Sequence, residues 1–120
     1  MRKPCIFFAM LVVLPLCAHP PKGLEMGYDF DSDILSVEIA HSVNDAAKHF
    51  INKVVVELNG KKIIEQTFRK QVDGETQQVM YKIIDAAEGD KIAVTAYCNI
   101  SGKKKADLTI TAPSGGDASE

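Results

Sequence analysis

The sequence predicts an all-β domain, an immunoglobulin-like antiparallel β-sandwich of about seven strands. Two observations carry this expectation. Apolar residues recur at every second position in short runs, and turn-forming clusters punctuate those runs at regular intervals. Outside the first eighteen residues no 3.6-residue apolar pattern of useful length occurs, so helices are not expected.

The elements follow in order. Leu24, Met26, Tyr28 and Phe30 share one face of a first strand, and Asp-Ser-Asp at 31–33 turns the chain. Leu35, Val37 and Ile39 share one face of a second strand, with Ser36 and Glu38 opposite. A third strand carries Phe50, Val54, Val56 and Leu58. It ends at Asn59-Gly60, the dipeptide that most favours a two-residue hairpin, and residues 61–68 return as a fourth strand. Val79, Tyr81 and Ile83 are in phase in a fifth. Residues 85–90 form a turn, with one helical turn over 85–88 as the alternative. Ile92, Val94, Ala96 and Cys98 line a sixth strand, and Ala106, Leu108, Ile110 and Ala112 a seventh.

Both ends differ from this body. Residues 1–18 combine Arg2 and Lys3 with an apolar run from Ile6 to Leu16 and a small residue, Ala18. That is the layout of a secretory signal peptide, too short for a spanning helix, with cleavage expected after Ala18. Lipoprotein processing at Cys17 is the rival and the one expected route to a membrane; Leu16 stands where that processing prefers a small residue. The expected organisation is a signal peptide over 1–18, a sandwich domain over 19–112, and a disordered polar tail over 113–120. The expected location is periplasmic or secreted.

Composition narrows the function classes. The 120 residues are 46% hydrophobic and 25% charged, with a formal net charge of −2. One ordinary domain is expected, and nothing basic enough to favour nucleic acid. Removing residues 1–18 takes away Arg2 and Lys3 and no acid, so the charge falls from −2 to −4. It also removes Cys5 and Cys17 and leaves Cys98 as the sole cysteine, which excludes an internal disulfide.

Strand parity then places the chemistry. With successive strands antiparallel, the chain start, the loop 41–49, the loop 69–75 and the turn 99–102 share one end of the sandwich. His19, His41, His49 and Cys98 all fall at that end, and the opposite end has no histidine or cysteine. Imidazole and thiolate together suit iron, copper or zinc. Each residue also has a plainer reading. The histidines are ordinary loop residues, and Cys98, in phase with Ile92, Val94 and Ala96, is a small core residue.

The segments "HSVNDAAKHFINKVVVELNGKKI" and "AYCNISGKKKADL" resemble the iron domain of superoxide reductases, the family of neelaredoxins and of the catalytic part of desulfoferrodoxins. The resemblance spans roughly residues 19–111, and "YCNISG" is its most specific piece. It implies an immunoglobulin-like sandwich and an oxidoreductase. In that family one iron is held by four histidines in a plane and one axial cysteine, with a sixth position open for superoxide. Carried over, His41 and His49 match the histidine pair of the loop, Cys98 matches the axial cysteine, and His19 matches the N-terminal histidine. Ser101 stands where the family's Cys-Asn-x-His-Gly motif has its fourth histidine. The sequence also has no Cys-x-x-Cys, so a rubredoxin-like module is not expected within it.

The resemblance implies one-electron reduction of superoxide to hydrogen peroxide, with mononuclear iron as cofactor and an external electron donor as partner. Two alternatives stay open. One is a periplasmic binding or accessory module that kept the scaffold and lost the full site. The other is a copper-binding variant, in which a mature N-terminal His19 chelates through its amine and imidazole. A blue-copper centre fits less well, because no His or Met follows Cys98. Lys103, Lys104 and Lys105 read as a charged guard on an edge strand, as a contact for an anionic partner, or as a guide for superoxide. The oligomeric state is left open.

Overall fold

The computed structural model describes residues 21–111. The segment read as a signal peptide, His19, Ala112 and the polar tail lie outside the described residues. Seven strands follow one another with no helix among the described residues: β1 (Gly23–Asp29), β2 (Ile34–Ala40), β3 (Ile51–Leu58), β4 (Lys61–Thr67), β5 (Thr76–Lys82), β6 (Lys91–Cys98) and β7 (Lys103–Thr109). They form two sheets, ordered β1-β2-β5 and β4-β3-β6-β7, and every pairing is antiparallel. The sheets meet along one side where β1 reaches β7.

The period-two faces explain the layering. Leu35, Val37 and Ile39 from β2 are buried, and Ser36 and Glu38 point outward. From the larger sheet Val54, Val56, Ile92, Val94 and Ala96 are fully buried. These residues, with Ile51, Val79, Ile83 and Ile110, form one core between the sheets. β-Branched side chains dominate it, as suits a pleated surface packed on one face. The edge strands β4 and β7 are mostly exposed and carry lysines, which discourages pairing with another chain.

The turns behave as their residues require. Asn59 and Gly60 both have positive φ, 52° and 85°, the backbone of a type I′ hairpin turn. Residues 84–89 make two turns and no helix. One expected phase is corrected. Phe50, expected within the third strand, precedes it and is half-buried, and Ile51 is the fully buried residue at its start. The β3–β6 register shifts between Ile51 and Lys53. This irregularity reverses the in-out alternation at the start of β3.

Candidate metal centre

The loops 41–50 and 68–75 and the turn 98–102 meet at one end of the sandwich. His41 directly follows β2. Its N–H donates to Glu75 O at 2.9 Å, and Val43 N–H donates to Gly74 O at 2.8 Å, so the β2–β5 pairing continues past the strands. His49 closes a tight turn opened by Asp45. Lys48 N–H and His49 N–H both donate to Asp45 O, at 3.0 and 2.9 Å, and Ala47 N–H donates to Asp45 Oδ1 at 3.0 Å. Asp45 thus satisfies the backbone that aims His49 inward. Cys98 is the last residue of β6 and the register partner of Ile51.

His41, His49 and Cys98 converge there. Their ligating atoms lie within 4.8 Å of one another. All three are buried, with exposures of 0%, 4% and 8%. His49 Nε2 is 3.1 Å from Cys98 Sγ. The two imidazoles meet edge to face, with centroids 4.7 Å apart and planes at 89°. Ile100 N–H donates to Cys98 Sγ at 3.3 Å. Two imidazoles and a thiol turned toward one another and away from water form a cluster of the kind that holds a metal ion.

Two further residues hold this arrangement and were not singled out from the sequence. Asn99 ties the His49 segment to the Cys98 turn. Its Oδ1 accepts from Phe50 N–H at 2.8 Å, its Nδ2 donates to Lys48 O at 3.0 Å, and its N–H donates to Phe50 O at 2.9 Å. The residues on either side of His49 are therefore both fixed by the residue after Cys98. Gln71, 2% exposed, lies in the loop between β4 and β5. Its side-chain oxygen meets His41 Nδ1 and Ile51 N–H, and its amide nitrogen donates to the carbonyls of His41 and Asp73. "YCN" contained a hint of Asn99. For Gln71 the available signal was its position in a loop at the histidine end.

Of the other residues singled out from the sequence, Ser101 is exposed in the 98–102 turn. That turn is closed by Cys98 N–H donating to Gly102 O at 3.0 Å, with Gly102 at a φ of 91°. Ser101 is therefore in the same turn as the thiol. Lys103 begins β7 opposite Tyr97, beside the cluster.

No family model matches the sequence, and no curated protein does. Among solved structures, superoxide reductase (1Fe-SOR) from Giardia intestinalis shares the fold, with a TM-score of 0.55 over 78% of this chain and 98% of that one. Identity between the two is 14%, so it is the fold that they share.

Proposed function

We propose that this chain is a mononuclear metal protein of the superoxide reductase type. In this reading iron is held by His41, His49 and Cys98, with His19 as a further ligand from outside the described residues. One observation carries it: two buried histidines from the β2–β3 connection and a buried cysteine at the end of β6 converge at one end of a fold shared with a superoxide reductase.

The donor set fits such an ion. Imidazole nitrogen together with thiolate sulfur is a donor set that iron, copper and zinc all accept. His49 Nε2 and Cys98 Sγ, 3.1 Å apart, are close enough that both would hold one ion.

Bound iron would supply the one-electron change between its ferrous and ferric states. The protein's own groups do the rest. Cys98 would lose its proton to become a thiolate, and Ile100 N–H donates to its Sγ. Burial of Cys98 and His49 keeps water from competing with them. Lys103, Lys104 and Lys105, exposed on β7, would attract the superoxide anion. The overall reaction consumes one superoxide, one electron from an external donor and two protons, and yields one hydrogen peroxide. Our reading of residues 1–18 as a signal peptide puts this activity outside the cytoplasm.

The exposed Ser101, at the position of the family's fourth histidine, favours one second reading: a metal-binding module without turnover. Counting product separates the two. The purified protein is loaded with Fe(II) without oxygen, mixed with less superoxide than bound iron so that Fe(II) supplies every electron, and assayed for peroxide. A reductase gives one peroxide per superoxide, and dismutation gives one per two. Iron that stays bound while superoxide decays at its spontaneous rate identifies the module.

A further inference from the structure

We infer that Gln71 is a positioning residue that holds His41 as the Nδ1–H tautomer and so presents Nε2 to the cluster. Its value to a metal rests on the reading of the cluster as a metal centre; the tautomer does not.

The argument starts from backbone groups whose roles are fixed. Ile51 N–H can only donate, and it lies 3.1 Å from one terminal atom of the Gln71 amide. That atom is therefore the carbonyl oxygen. The other terminal atom lies 3.0 Å from His41 O and 3.0 Å from Asp73 O. Both can only accept, so that atom is the NH2 group. Exchanging the two would set an N–H against an N–H and an oxygen against two oxygens. Three backbone groups thus settle the amide orientation without reference to the imidazole.

The same oxygen, Oε1, is the partner of His41 Nδ1. It offers only lone pairs, so Nδ1 must carry the proton. A neutral imidazole protonated at Nδ1 has its lone pair at Nε2, the state a metal requires. Both donors and both lone pairs of the Gln71 amide are then engaged in a buried network. Gln71 also anchors the second histidine segment, because its N–H donates to Ala46 O at 3.1 Å and Ile51 lies two residues beyond His49. One side chain in the β4–β5 loop sets the tautomer of His41 and binds the start of β3.

The test begins with the metal-free protein. Labelling the histidines with nitrogen-15 and recording long-range proton–nitrogen correlations reads each tautomer directly. His41 is expected with its proton on Nδ1, and an Nε2–H His41 overturns the inference. Two variants then separate positioning from bulk structure. Gln71→Glu keeps an acceptor at Nδ1, whereas Gln71→Met keeps the length and removes it. Gln71→Glu, protonated on the oxygen that faces the carbonyls of His41 and Asp73, should retain the Nδ1–H signature. Gln71→Met should admit the Nε2–H form and weaken cobalt(II) binding by about 10–100-fold relative to wild type. Equal losses in both variants, with the His41 tautomer unchanged in both, would reduce Gln71 to a structural part and overturn the inference. Wild-type protein that shows the Nδ1–H His41 but binds no cobalt supports the tautomer assignment and sinks the metal-centre reading instead.

Discussion

His49 Nε2 stands 3.1 Å from Cys98 Sγ across 49 residues of chain. The pairing of β3 with β6 explains this. His49 lies two residues before the start of β3, Cys98 ends β6, and Ile51 and Cys98 are register partners. The third member, His41, comes from the end of β2 in the other sheet. The cluster therefore depends on both sheets and on the loops that join them, so changes in those loops should alter it without touching the core.

Asn99 is the clearest such change. Asn99→Ala removes both side-chain hydrogen bonds to the backbone around His49. The site is exposed, so water replaces part of the loss, and the cost should be about 0.5–1.5 kcal/mol in urea unfolding. Metal affinity should fall as well, because the His49 and Cys98 segments are no longer tied. Unchanged affinity would show that the β3–β6 pairing alone holds the two ligands.

Ser101→His supplies the histidine that the resemblance to superoxide reductases leads us to expect at this position. Ser101 is exposed in its turn and its φ is not positive, so the fold should accept the change within about 0.5 kcal/mol. Iron should bind more tightly, as read by competition with a chelator. An equal or weaker affinity would show that the turn aims this position away from the cluster.

Asp73 links the Gln71 loop to acid. Hydrogen bonds from Glu75 N–H and Thr76 N–H to Asp73 Oδ1, at 2.8 and 2.9 Å, hold its carboxyl below the usual aspartate range. A depressed folded-state value means the carboxylate stabilises the fold above the ordinary aspartate value of about 3.9. That contribution is lost as pH falls through the lower, folded value. Amide exchange at Glu75 and Thr76 should therefore accelerate in strong acid before the core amides of β3 and β6 do. Asp73→Asn should show the same fast exchange at neutral pH. Simultaneous loss at all sites would place the weak point in the core.

The lysines of β7 separate steering from edge protection. Lys103 lies opposite Tyr97, next to Cys98, and its Nζ is 5.7 Å from the Tyr97 ring centroid. Replacing Lys103, Lys104 and Lys105 by Gln should slow superoxide consumption by on the order of tenfold at low salt, with the difference vanishing at high salt. An unchanged rate with increased light scattering would leave these lysines as guards of an open sheet edge.

Much of this was legible in the sequence, for a physical reason. Side chains alternate across a strand, so Leu35, Val37 and Ile39, or Ile92, Val94 and Ala96, announce both the strand and its buried face. Antiparallel succession then fixes which loops share an end, and that put His41, His49 and Cys98 together before any contact was known. Phe50 and Ile51 were misphased because a backbone irregularity leaves no periodic trace. Gln71 was illegible because a glutamine in a polar loop reads as solvated. Its burial arises only when three loops close over it. Asn99 was visible as a motif letter, but its role needs residues 48–50 opposite it.

The central claim is that His41, His49 and Cys98 hold one metal ion. The most direct test is optical. The protein is loaded with Fe(II) under anaerobic conditions and oxidised, and the visible spectrum is recorded beside that of Cys98→Ser. The account predicts a sulfur-to-iron charge-transfer band in the wild type and its loss in Cys98→Ser. A colourless wild type, or a band that survives the substitution, would contradict it.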